Sequence, residues 1–365
     1  MLDFAKNRIL SPKPSWSHKF SDYVTAIAWA EESDHLAIAT ADGEVGLWLG
    51  NKSTQIFQGA NNESVDCLSF SSQGFSGNWL SAAGEGGKIK LWNLNLANFS
   101  EQPIISPQIS IDQGNTWIDF LAWHQSDFAF SLGKYVQVWS VKTQDIVTTV
   151  NFENSSVQGL AWHPTGNYLT ASGYQSIKIW NAADWDQDPF TLPLPTAITA
   201  IAWQDRGQYL VIATADKMVI FLEYQDGEFT LSPFQLRGFV SKIKAISWSN
   251  YQTGNTFALA SGNEITLWQP HPQPNSGWQA EVLNQHSGNV NALEFQPHSK
   301  VLASGDTEGK LYLSRGTNTI QSFNLNSEIT CLKWHPQGHK LAVGTAQGEV
   351  LVWEINKKSS KGFGT

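Results

Sequence analysis

Methionine and cysteine each occur only twice in 365 residues, and arginine only four times, at Arg8, Arg206, Arg237 and Arg315. The two thiols, Cys67 and Cys331, have no CxxC spacing, which points to a reducing compartment rather than a disulfide framework. Charged residues make up 15% of the chain, few for a helical protein but workable for one rich in strands and loops. The net charge is −9 and the isoelectric point about 5.4, so there is no basic field to attract a phosphate backbone, and nucleic acid is not an expected partner. No apolar run approaches the roughly 18 residues of a membrane span. The opening MLDFAKNRILSPKP lacks the apolar core of a signal peptide. The expectation is a soluble, cytoplasmic chain with no membrane partner. GxSxG, GxxxxGK[ST], HExxH and EF-hand patterns are all missing, which removes the usual signatures of hydrolase, nucleotide, zinc-protease and calcium chemistry.

Tryptophan, by contrast, occurs seventeen times, and hydrophobic residues form 41% of the chain. The tryptophans recur in phase. Trp162 to Trp180 reads WHPTGNYLTASGYQSIKIW, and Trp334 to Trp353 reads WHPQGHKLAVGTAQGEVLVW. Aligning the chain on itself gives eight copies of one hexapeptide: VTAIAW (24–29), VDCLSF (65–70), IDFLAW (118–123), VQGLAW (157–162), ITAIAW (198–203), IKAISW (243–248), VNALEF (290–295) and ITCLKW (329–334). Their closing aromatics lie 41, 53, 39, 41, 45, 47 and 39 residues apart. After each copy come a polar turn, a second run such as YLTASG or KLAVGT, another turn, and a third run such as IKIW or VLVW.

Short β-branched runs separated by Gly, Asn, Asp and Ser are strand and hairpin chemistry, and no convincing 3.6-residue periodicity competes with them. Between copies lies a fourth run, among them TQIFQG, DIVTTV and AEVLN. Each unit therefore reads as four antiparallel strands. A sheet this small leaves an apolar face wet until neighbours stack on it and the ring closes. The last unit ends in KKSSKGFGT, too polar for a fourth strand, while WSHKF (16–20) is spare at the front. The expectation is that residues 16–20 supply the outer strand of the last unit and clasp the ring. One domain spans 1–356, followed by a disordered tail, 357–365.

HPTGNYLTASG-YQSIKIW, and EVGLW after the Asp42–Gly43 turn, resemble the WD40 repeat family over roughly residues 16–356. The resemblance implies an all-β WD40-like β-propeller of eight four-stranded blades, with seven, the commoner count, as the alternative. Family blades often join a histidine, a Ser or Thr, an Asp and a Trp in one hydrogen-bonded set, and no blade here holds all four. In the first, Phe20 stands in the histidine place beside Thr40, Asp42 and Trp48. In the fifth, Phe221 replaces the tryptophan and Asp216 sits one place off. In the seventh, His286 and Ser304 are present, but Glu308 stands for the aspartate and Ser314 for the tryptophan. Apolar packing is expected to carry the blades instead.

Three histidines, His124, His163 and His335, each follow the tryptophan that ends a first strand. They read as polar turn residues rather than metal ligands, because the repeat puts them on different blades. Cys67 and Cys331 share a slot that other units fill mostly with alanine or glycine, and read as small packers. GEGG (84–87) precedes a strand and reads as a turn, not a phosphate loop. Two long joins stand out, 93–117 and the proline-rich 269–288, the latter an extended segment offered to a partner or a plain spacer.

By analogy with the family, the residues at the start of each first strand line one face and contact partners. Here these include Tyr23, Asp66, Trp117, Asp119, Lys242, Lys244 and Glu328. Acids gather beside Trp117 and lysines on blade six. An aromatic next to carboxylates suits a basic partner segment. The functional expectation is a non-enzymatic scaffold, monomeric by itself, that gathers one or more proteins and carries no cofactor, metal or catalytic residue. The alternatives are a metal-handling accessory protein, or a small-ligand binder or enzyme using the central channel. Innermost strands of mostly Ala, Val, Ile and Thr do not favour acid–base chemistry there.

Overall fold

The computed structural model describes residues 9–51, 53–71, 78–95, 105–153, 155–251, 255–273 and 276–355. Among them are thirty-two β-strands and no helix. The strands form eight antiparallel four-stranded sheets. In seven of these the strands lie side by side in chain order. The innermost strands, Val24–Trp29, Val65–Phe70, Leu121–His124, Gly159–Trp162, Ile198–Trp203, Ile243–Ser249, Val290–Phe295 and Ile329–Trp334, each contact the next, and the eighth returns to the first. The result is a closed eight-bladed propeller, which settles the choice between seven and eight. The tail 357–365 lies outside the described residues.

Closure works as the spare segment suggests. Trp16–Lys19 pairs antiparallel with Glu349–Glu354, Trp16 opposite Val352 and Lys19 opposite Glu349. A second tether precedes it. Leu10 is fully buried and bridges Ile355, while the Gln321 side chain on blade seven accepts from the Ile9 and Leu10 amides and donates to the Leu10 carbonyl.

Second strands such as Leu36–Thr40, Trp79–Gly84, Val301–Asp306 and Lys340–Thr345 are buried at every position, because both faces of each sheet are covered by neighbouring blades. The recurrent tryptophan has a specific use at these seams. Trp29, Trp162 and Trp248 donate their indole N–H to the carbonyls of Lys333, Ala122 and Ala202 on the preceding blade, at 3.0–3.2 Å. Trp123 and Trp203 reach the hydroxyls of Ser81 and Thr170 in the same way. A buried aromatic with one polar tip thus fills a seam and ties it.

Four expectations need correction. In blades three and four the inner strands begin only at Leu121 and Gly159, and the amides of Ile118 and Val157 bond across the seam to the Gly84 and Gly133 carbonyls. The described part of the join 269–288 includes the outer strand of blade six. Glu264–Pro270 pairs with Trp278–Leu283 as a hairpin, and Trp278 stacks at 4.9 Å on Phe221, the residue that replaced the tryptophan of blade five. Blade seven does hold the polar set. His286 Nδ1–H donates to Asp306 (2.8 Å) and Nε2 accepts from Ser304 (2.8 Å), so Asp306, not Glu308, plays the aspartate. Gln285 then bonds Ser304, Ser314 and Thr319, filling the missing tryptophan's place with a polar network. In blade five, Thr214 donates to Asp216 at 2.6 Å, as Thr40 does to Asp42 in blade one, so that aspartate is in working position.

Candidate functional site

Each inner strand starts from the join with the preceding blade, and the hairpin between second and third strands returns to the same side. One face therefore carries all the joins and these hairpins. Large apolar side chains are exposed on this face at Tyr23 (37%), Trp117 (49%), Tyr135 (38%), Tyr174 (51%) and Val240 (48%). The other exposed large hydrophobics among the described residues, Ile146, Val147, Leu231 and Val282, all lie on outer strands. Exposed aromatics are costly to leave wet, and a set confined to one face marks it for contact. The sequence reading named Tyr23 and Trp117 but missed Tyr135, Tyr174 and Val240. The available signal was a large hydrophobic residue inside or beside a glycine turn, as in GKY and SGY.

The sequence-predicted residues fall into two groups on this face. In the first, Trp117 Nε1–H donates to Asp66 Oδ2 at 2.7 Å, and Ser64 donates to the same oxygen at 2.9 Å. Asp119 stands close by on the next blade; burial and the Asp66 charge raise its carboxyl above the ordinary range. No lysine, arginine or histidine forms an ion pair with Asp66 or Asp119 among the described residues.

In the second group, Lys244 donates to Asn291 (2.5 Å), and Asn291 donates to Glu328 (2.7 Å) and to the Ile329 carbonyl (3.0 Å). Lys242 lines the same cavity, of about 430 Å³, with Asn289 and Thr307. Burial, then the charges of Glu328 and Cys331, raise the Tyr23 phenol. Here two lysines stand beside one carboxylate, Lys244 being linked to Glu328 through Asn291. The first group has two carboxylates and no paired cation among the described residues.

The opposite face holds the three histidines, and it gives them a shared role. The Thr165 amide donates to His163 Nδ1, so Nε2 carries the proton and donates to the Gly207 carbonyl of blade five at 3.0 Å. Gly207 has φ +74°, and a Cβ there would fall 2.3 Å from that nitrogen, so the latch requires glycine. Gln204 and Gln296, in the same slot, reach Asn255 and the Gly338 carbonyl of the following blades at 2.7 and 2.8 Å. The His124 ring lies against Gly166 of blade four.

His335 differs in its company. Asp34 and His339, unremarked in the sequence, bring ligand atoms within 4.8 Å of it and of one another. Yet the Gln337 amide donates to His335 Nδ1 (3.1 Å), leaving the proton on Nε2, which faces the Ser33 carbonyl at 3.2 Å. Asp34 already holds the Lys340 ammonium at 2.9 Å and His339 at 2.8 Å. Burial pushes the Asp34 carboxyl up, but these two partners outweigh it and hold it below its ordinary value. The cluster is a latch between blades eight and one.

Cys67 is buried against the Ala83 and Ile118 carbonyls, and burial first, then the Asp66 and Asp119 charges, push its thiol up. Burial pushes Cys331 up to about 11. Neither is an activated nucleophile. The innermost strands are less inert than their composition suggested: Glu294 and Lys333 pair at 2.9 Å between blades seven and eight, and Glu294 raises the Lys333 ammonium.

Comparison with known proteins agrees with this geometry. The family model described as "WD domain, G-beta repeat" matches residues 51–93, 144–181 and 277–313, and that of the "Anaphase-promoting complex subunit 4 WD40 domain" matches 316–361. The protein transport protein sec31 of Aspergillus fumigatus is 30% identical over 150 residues, 38% of this chain but only 12% of that protein. The protein transport protein sec13 of the same organism is 24% identical, over 62% of this chain and 87% of its own. Protein FIZZY-RELATED 3 of Arabidopsis thaliana is 22% identical over 68% of this chain and 52% of its own. Among solved structures, a chain of "Crystal Structure of Mitotic Checkpoint Complex" superposes with a TM-score of 0.64 at 16% identity, covering 96% of this chain and 94% of that one, a likeness of fold. With eight in-phase repeats, eight closed blades and these matches in hand, the chain carries WD40 repeats and folds as an eight-bladed β-propeller.

Proposed function

We propose that this chain is a non-enzymatic scaffold that docks a protein partner on the face carrying the joins. The observation that carries the reading is the confinement of Tyr23, Trp117, Tyr135 and Tyr174, all exposed, to that one face. Rigid blades hold these side chains at fixed spacing, which spares a partner much of the ordering cost of binding. Large aromatics are the residues that anchor interfaces. The relatives support the same direction: two are named for protein transport, and the solved structure of similar fold comes from a protein complex.

Affinity capture of the full chain from lysate of its source cells, followed by mass spectrometry, tests this. One protein should recur near stoichiometric amount and be lost on Trp117→Ala, while the melting temperature stays within a few degrees. Retention of every captured protein by Trp117→Ala, Tyr174→Ala and Tyr23→Ala alike would remove the face from consideration.

A further inference from the structure

The two groups on the docking face differ in one respect that selects a partner. Lys244 and Glu328, of opposite charge, are linked through Asn291 with Lys242 beside them, whereas Asp66 and Asp119 have no paired cation among the described residues. Resting on the scaffold reading above, we propose that Asp66, Trp117 and Asp119 receive an arginine or lysine side chain from an extended basic segment of a protein partner.

Three features of the arrangement fit that occupant. The indole N–H of Trp117 is already donated to Asp66, so the ring is held at a fixed angle with half its surface open. A ring fixed in that way offers a π face to a cation and an apolar wall to the side-chain stem that carries it. Asp66 stands on the inner strand of blade two and Asp119 just before the inner strand of blade three, near enough for the Asp66 charge to raise the Asp119 carboxyl. A cation between them relieves that repulsion, and a guanidinium can address both carboxylates at once. Tyr135, exposed on blade three, and Tyr174, exposed on blade four, extend the aromatic surface for neighbouring residues of the segment.

Other occupants fit less well. A neutral or acidic segment would leave the carboxylates uncompensated or oppose them. A calcium ion takes roughly six to eight oxygen ligands. This site offers two carboxylates, and Asp66 Oδ2 already accepts from both Trp117 and Ser64.

The test uses the full chain and a fluorescein-labelled probe, Gly-Ser-Arg-Gly-Ser-Arg-Gly, with a glutamate-for-arginine twin, read by anisotropy. The arginine probe should bind and the glutamate probe should not. Asp66→Asn with Asp119→Asn, and separately Trp117→Ala, should each weaken binding by about tenfold or more. Asp226→Asn with Glu228→Gln, on the outer hairpin of blade five, removes the same charge and should leave binding unchanged. Equal loss in that control would mean a diffuse field of the acidic chain and would overturn the site. Displacement of the probe by millimolar calcium, but not by magnesium or matched ionic strength, would reassign the carboxylates to a metal and also overturn it. A captured protein lost on Trp117→Ala but kept on Asp66→Asn with Asp119→Asn would leave the docking face standing and defeat only the basic-segment inference.

Discussion

The indole of Trp16, on the strand that completes the last blade, stacks on the indole of Trp48 in the first blade, with ring centroids 4.9 Å apart and planes 22° from parallel. The ring's two ends therefore meet through an aromatic pair as well as through the strand ladder. Lys340 adds a cation 5.2 Å over the Trp48 ring, held in place by Asp34. Trp16→Ala removes a side chain that is only 8% exposed, and should cost about 3 kcal/mol in urea unfolding. Deletion of residues 1–21 removes the Leu10 tether as well and should lower the melting temperature far more. A deletion that melts like the intact chain would show that the clasp contributes little.

Blade seven offers a sharper comparison. Asp306 is fully buried and bonds His286, while the side chain of Glu308, which the sequence reading put in the aspartate's place, bonds the exposed Ser287. Asp306→Ala should destabilise by about 3 kcal/mol, because it strands a buried imidazole without its acceptor. Glu308→Ala should stay within about 0.5 kcal/mol. Matched chemical denaturation curves decide between them, and the opposite order would return the aspartate role to position 308.

Much of this was readable before any coordinates. Eight hexapeptides in phase, each too small to hide its own apolar face, leave few architectures other than a closed ring. The clasp followed from a spare strand at one end and a missing one at the other. What stayed hidden depended on contacts between distant repeats. Trp278 lies in a proline-rich stretch that looks like a spacer, and only the pairing of its hairpin shows that it packs on Phe221. The Asp34–His335–His339–Lys340 latch joins residues about 300 positions apart, and no local pattern announces it. At the candidate site, Asp66, Trp117 and Asp119 were named because they flank the start of a repeat unit. The Trp117–Asp66 bond, and the link from Lys244 through Asn291 to Glu328, needed the blades set side by side.

The Trp278 contact carries its own test. The ring sits among Phe221, Phe257, Trp248 and Tyr209 at centroid distances of 4.9 to 6.2 Å. Trp278→Ala should cost about 2 kcal/mol, and Trp278→Phe should recover most of it, since the stack on Phe221 needs a ring rather than an indole N–H. Thermal melting of both variants checks this. Equal melting of Trp278→Ala and the parent would restore the join to a plain spacer.

The histidines give the chain a directed response to acid. His35, His124, His163, His286 and His335 are all held below their ordinary value near 6.5, in each case chiefly by burial. In the unfolded chain each takes up a proton as the pH falls through about 6.5, while in the native chain it stays neutral to lower pH. The unfolded state then binds more protons, so stability must fall as the solution is acidified. The contribution is complete above pH ~6.5 and is lost progressively below it, toward the folded values. Each such proton contributes at most about 1.4 kcal/mol per pH unit. His163, His286 and His335, the most buried, should dominate. The melting temperature should therefore drop between pH 7.5 and 5.5, before most carboxylates titrate. His163→Gln keeps a side-chain amide that can donate to the Gly207 carbonyl, as Gln296 does to Gly338, and removes one titrating group. It should melt near the parent at pH 7.5 and above it at pH 5.5. Parallel pH profiles for the two proteins would show that His163 is not among the groups responsible.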